Sequence, residues 1–133
     1  MQVDALDHVN ILTDKMEDSA VFYSELLGLE RRDAPPPMTP QQAQWLCDVE
    51  GRPIIHINAA DCPRVFDRVV EPGASTGPVH HIALRLHGFE EVKARLEQRG
   101  LDFKEYYIHA IGLRQIFITD PNNVLLELNF FAG

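Results

Sequence analysis

The chain has 133 residues, 45 % of them hydrophobic and 24 % charged, which describes one folded domain with a core of its own and excludes a disordered chain. Its net charge is −8, its pI about 5.1, and no basic cluster interrupts the acidity, so neither a nucleic acid nor an anionic membrane is expected as a partner. No apolar run approaches the ~18 residues that cross a bilayer, and the first residues, MQVDALDHVNILTD, lack the basic and apolar regions of a signal peptide. Cys47 and Cys62 are the only cysteines and are not in CxxC spacing, so a cytoplasmic protein with reduced thiols is expected.

In chain order, residues 6–13 (LDHVNILT) alternate as a strand. Residues 14–28 read as a helix, with Asp14 as cap, Glu17 three residues on, Met16, Ala20, Tyr23 and Leu27 at helical spacing, and Gly28 as the stop. LERRDA (29–34) is a third element, a strand, and PPPMTP breaks the pattern after it. AQWLCDV (43–49) and RPIIHINA (52–59) read as strands joined by a turn at Glu50–Gly51. Residues 60–78 are rich in proline and glycine and form a connector, with a short helix expected at PRVFDRVV (63–70).

The order then restarts. VHHIALRL (79–86) is a strand, and GFEEVKARLEQRG (88–100) is a helix with Phe89, Val92 and Leu96 on one face. LDFKEYYI, LRQIFITD and NVLLELNFF are strands, the last two joined by DPNN. Each half therefore reads β-α-β-β-β: module one spans about 1–60, the connector 61–78 and module two 79–133. His8 lies as far from Gly28 as His81 from Gly100, to within one residue. His8 to His56 matches His81 to Glu127 to within two. This is an internal repeat of pattern rather than of residue identity.

The four residues His8, His56, His81 and Glu127 thus stand at two matching places in the two halves, each in an apolar strand context. Alternation turns each away from the neighbouring aliphatics. One strand histidine is unremarkable, but a glutamate between Leu126 and Leu128 is costly to bury without a partner. Three imidazoles and one carboxylate suit a divalent transition metal (Fe, Mn, Ni, Co or Zn) better than magnesium or calcium.

The stretches LDHVNILTDKMEDSAVFYSELLGLE, HHIALRL and FITDPNNVLLELNF together resemble the vicinal oxygen chelate superfamily. That group includes glyoxalase I, methylmalonyl-CoA epimerase, extradiol dioxygenases, fosfomycin-resistance enzymes and bleomycin-binding proteins. The resemblance covers nearly the whole chain and is specific for the family, not for one reaction. It implies an α+β fold of two βαβββ modules forming a U-shaped mixed sheet around a metal. It also implies metal ligands at His8, His81 and Glu127, with His56 at the position that varies between members. His80, adjacent to His81, should face the other way. A homodimer acting on a small-molecule substrate is implied as well.

Three activities are open to such a chain. A glyoxalase- or epimerase-like lyase or isomerase would let the metal hold two substrate oxygens while Glu127, ligand and base, moves a proton. Donors at all four positions resemble that branch, although only Arg31, Arg32 and Arg114 offer themselves for an anionic cofactor such as glutathione or coenzyme A. An extradiol-type dioxygenase is suggested by HAIGLRQIFITDPNNVLLE, where His109 stands at the histidine of that group's signature and would assist oxygen chemistry without binding the metal. Phe117 and Asn123, however, replace its tyrosine and its glycine or proline. A metal-free module binding a drug or metabolite is the third reading, and the retained donors weigh against it. A fosfomycin-type transferase is disfavoured by the short segment after Glu127. Trp45, Tyr106, Tyr107, Phe117 and Phe130 are candidates to line the substrate trough.

Overall fold

The structure is a computed structural model and describes residues 1–132. Its contacts divide the chain into two compact units, Met1–Gly73 and Ala74–Gly133.

The first unit contains β1 (Val9–Thr13), α1 (Met16–Val21), β2 (Glu30–Asp33), β3 (Ala43–Cys47) and β4 (Pro53–Ala59). The strands form one mixed sheet in the order β1-β4-β3-β2, with β1 parallel to β4 and the other pairs antiparallel. One face carries Ile11, Leu46, Ile55 and Ile57, all buried. The helix covers it with Ala20, Tyr23 and Leu26, all at most 1 % exposed. Each such side chain contributes about 1.5–3 kcal/mol of burial, so this face is the unit's core.

The helix differs from the expectation at both ends. It begins at Met16, and Asp14 makes no cap; Thr13 Oγ1 instead accepts the Lys15 N–H at 2.8 Å. Glu17 does not close a capping box either, because both its carboxylate oxygens accept from Arg31 of β2, at 3.0 and 2.8 Å. After Val21 the helix widens into a π-turn over Phe22–Leu26, where Leu27 N–H reaches Phe22 O. Tyr23 and Leu26, three residues apart, are both buried.

The second unit repeats the plan: β5 (Ile82–Arg85), α2 (Phe89–Gln98), β6 (Lys104–Ile108), a 3-10 turn at His109–Ile111, β7 (Leu113–Thr119) and β8 (Leu125–Phe131). The order β5-β8-β7-β6 reproduces that of the first sheet, again with one parallel pair. Ile116, Ile118, Leu126 and Leu128 are at most 4 % exposed, and Val92 and Leu96 of α2 are buried with them. Phe89 of the helix meets Phe130 of β8 edge to face at 5.4 Å. The DPNN turn is built on Asp120, whose buried carboxylate accepts from the backbone N–H groups of Asn122 and Val124, each at 2.8 Å. Asn123 takes the left-handed conformation the turn requires, at φ 64°.

The expected helix at 63–70 does not form; residues 60–81 contain turns but neither helix nor strand. Its apolar side chains find nothing to pack on, with Val65, Phe66 and Val69 more than 80 % exposed. Arg64 spends its guanidinium on the carbonyls of Ala60 and Cys62 and on Asp67. An eight-residue helix without a buried face is marginal in water. Among the described residues, no helix is long and apolar enough to cross a membrane.

Candidate functional site

In both units the sheet face away from the helix carries the polar side chains singled out above. In the first unit, β4 places His56 directly between Asn10 of β1 and Trp45 of β3. His8 lies just before β1, two residues ahead of Asn10. Its ring stacks on His56 with centroids 3.8 Å apart and an interplanar angle of 8°. Trp45 also stacks on His56, at 4.5 Å and 16°. Asp7 Oδ2 lies 2.6 Å from His8 Nδ1, and since a carboxylate only accepts, Nδ1 is the donor.

His56 Nε2 is buried and has no hydrogen-bond partner. Burial lowers the His56 pKa, and the neighbouring His8 lowers it further; a hydrogen bond to the Pro53 backbone and the Asp7 carboxylate oppose this more weakly. Burial and His8 both favour the neutral ring. An orphaned, neutral imidazole nitrogen is a cost to folding unless something uses it.

In the second unit, β8 places Glu127 between Ala83 of β5 and Phe117 of β7. His81 lies just before β5, two residues ahead of Ala83, so the register repeats that of His8, Asn10 and His56. Its Nε2 is 3.9 Å from Glu127 Oε1. The other carboxylate oxygen accepts from Asn129 Nδ2 at 3.0 Å, and Asn129 Oδ1 accepts from Gln115 Nε2 at 3.0 Å. His80 touches His81 edge-on through the two Nδ1 atoms, 2.9 Å apart.

The structure thus brings His8 together with His56, and His81 together with Glu127. His109 is placed elsewhere: its ring packs against Tyr107, which stands across from Arg114 on the helix side of its sheet. Among the described residues no hydrogen bond or ion pair joins it to Glu127. Phe130 shares that helix side, whereas Tyr106 and Phe117 share Glu127's side. No group of three or more His, Cys, Asp or Glu side chains is poised around one point among the described residues. What fits a metal is the chemistry of the donors: an unpartnered buried His56 Nε2, a His8 oriented by Asp7, and a carboxylate facing His81.

The arginines considered from the sequence are engaged. Arg31 pairs with Glu17, Arg32 with Glu30 and Arg114 with Glu90. An open cavity of about 380 Å³ beside Arg31, Arg32, Asp33, Pro40 and Gln44 therefore offers no free cation from either arginine. Sequence reasoning missed Arg85. It stands beside Asn129 in the β5–β8 ladder, hence on Glu127's face. Its guanidinium lies 4.4 Å over the Phe131 ring, and no carboxylate pairs with it among the described residues. The signal was available, since Arg85 follows His81 at even strand spacing. Asn58 and Asn129, two residues after His56 and Glu127, were missed as well.

A four-stranded βαβββ module repeated in two halves defines a two-module α+β class. Comparison with known proteins agrees. The model of the Glyoxalase/Bleomycin resistance protein/Dioxygenase superfamily matches residues 5–128, and the chain belongs to that superfamily. It is 25 % identical over 131 residues to Glyoxylase I 4 of Arabidopsis thaliana, covering 96 % of this chain and 71 % of that protein. A glyoxalase/dioxygenase from Nostoc punctiforme shares the fold, with a TM-score of 0.71 and 14 % identity over 98 % of this chain and 92 % of that one. So does a lactoylglutathione lyase from Agrobacterium tumefaciens, with a TM-score of 0.65 and 18 % identity over 98 % of this chain and 96 % of that one.

Proposed function

We propose that this chain is a divalent-metal-dependent enzyme acting on a small oxygenated substrate by proton transfer, as a glyoxalase- or epimerase-like lyase or isomerase. His8, His81 and Glu127 are the metal ligands and His56 the fourth. The observation that carries this reading is the repeated register: His56 and Glu127 each stand opposite the residue two past a histidine. That the two pairs serve one ion rests on this repeat and on family membership.

A bound Ni²⁺, Co²⁺ or Zn²⁺ would supply Lewis-acid polarisation of the substrate oxygens. The rest falls to the chain's own residues. Glu127 Oε1, the carboxylate oxygen not held by Asn129, accepts the substrate proton and returns it. Arg85 meets an anionic group of the substrate on the same sheet face. Phe117, directly across from Glu127, supplies an apolar wall. Each sheet ends on outer strands with unpaired edges, which a homodimer would cover. Iron or manganese with ring cleavage is the second reading, although the His109 it would call on packs against Tyr107 and has no bond to Glu127 among the described residues. Phe117 lacks the hydroxyl that reading would use.

The test is elemental analysis of protein purified anaerobically without affinity metals, followed by assays with hemithioacetals, acyl-thioesters and catechols. One nickel, cobalt or zinc ion per chain, with chelator-sensitive turnover of the first two substrates, is expected. Iron or manganese with catechol cleavage would replace the proposal by the dioxygenase. No metal after reconstitution would leave a metal-free binding protein. Sedimentation should show a concentration-dependent dimer; a monomer at all concentrations would refute the dimer.

A further inference from the structure

Glu127 is not held by the sheet alone. Its Oε2 accepts from Asn129 Nδ2, while its Oε1 lies 3.9 Å from His81 Nε2. An asparagine amide can turn either end towards a neighbour, and the oxygen end would repel a carboxylate. The carboxylate can only accept, so it takes the N–H end, and Gln115 occupies the other. It stands directly across from Asn129 in the β7–β8 ladder, is 8 % exposed, and donates its own amide N–H to Asn129 Oδ1 at 3.0 Å. With its oxygen taken, Asn129 has only N–H to offer Glu127. The donors run one way: Gln115 to Asn129 to Glu127.

The other half of the repeat provides a contrast. Asn58 follows His56 as Asn129 follows Glu127, yet its Oδ1 accepts from Asn10 Nδ2 at 2.6 Å and it makes no hydrogen bond to His56 Nε2. The relay is therefore not a generic consequence of the sheet. It exists where the strand carries a carboxylate to accept it.

We propose that Asn129 and Gln115 are positioning residues for Glu127. Asn129 pins one carboxylate oxygen so that the other is presented towards His81, and Gln115 acts through Asn129 by holding its amide oxygen on the far side. This rests on the reading of Glu127 as a metal ligand. Partners that orient a ligand typically change metal affinity 10–100-fold when removed.

The experiment is a Zn²⁺ titration of metal-free full-length protein against a chromophoric chelator, with melting temperature recorded for each variant. N129L should weaken Zn²⁺ binding about 10–100-fold. Q115L should weaken it less, and the double variant no more than N129L, because the two act in series. N129S, which keeps a donor, should recover part of the affinity. The decisive comparison is in an E127A background, where N129L should have no further effect; a merely structural role would persist there. Undiminished loss from N129L in E127A, or wild-type affinity in both N129L and Q115L while E127A binds weakly, would overturn the inference. Unchanged affinity in E127A itself would overturn instead the reading of Glu127 as ligand. Should N129L fail to fold, Q115L and N129S carry the same comparisons.

Discussion

Adding Zn²⁺ to the metal-free chain should pull the His8 ring off His56. The two rings are parallel to within 8° and 3.8 Å apart. The nitrogen lone pairs lie in the ring planes, so two rings stacked nearly parallel cannot both aim a lone pair at one ion. One ring must turn if both are ligands. His56 is clamped by Trp45 on its other face and half-buried, whereas His8 precedes β1 and its side chain is 36 % exposed. His8 should therefore move. Losing one ring stack costs about 0.5–1.5 kcal/mol, which would lower the apparent affinity roughly 2- to 13-fold from that of a pre-formed site. The assay is histidine-ring NMR. The His8 ring protons should shift downfield as they leave the shielding of His56, while the fluorescence of Trp45, the sole tryptophan, changes little. Saturated Zn²⁺ binding with His8 still stacked on His56 would refute the idea that these two nitrogens share an ion.

The remaining predictions concern single side chains. Replacing His81 with alanine should abolish tight metal binding while replacing His80 should not, because only His81 faces Glu127; equal losses in a metal titration would sink the assignment of faces. Asp120→Ala should destabilise the fold by about 2–4 kcal/mol, since two buried N–H groups lose a charged acceptor, and a urea midpoint unchanged from wild type would count against it. Leu126→Ala should cost about 2–5 kcal/mol at a site with no exposure, whereas Val65→Ser on the exposed connector should change the midpoint by no more than about 0.5 kcal/mol. Glu17's pKa is lowered, chiefly by its hydrogen bond to Arg31. A carboxylate depressed in the folded state stabilises above its unfolded pKa and loses that contribution as pH falls through the folded value. Thermal melts below about pH 4.5 should therefore show a shallower decline in Glu17→Gln than in wild type; parallel curves would refute this.

What the sequence by itself determined were properties written over a few residues. Period-two alternation, a glycine after each helix and the restart at VHHIALRL sufficed for eight strands and two βαβββ halves, because those signals are set by backbone geometry and steric preference. Alternation assigns His80 and His81 to opposite faces, but both precede β5 and their Nδ1 atoms lie 2.9 Å apart. The tertiary structure decided whatever depends on a partner far along the chain. Glu17 looks like half of a capping box, but Arg31 reaches it across the fold and a bidentate charged pair prevails over a cap. Residues 63–70 have helical spacing, but no surface comes to bury their apolar side, and spacing without burial does not hold a short helix. Asn129 is one polar residue among many until the β7–β8 register sets Gln115 behind it, which holds its amide oxygen while its N–H donates to Glu127. Register is a long-range property, fixed by the packing of a whole sheet face rather than by the residues that benefit from it.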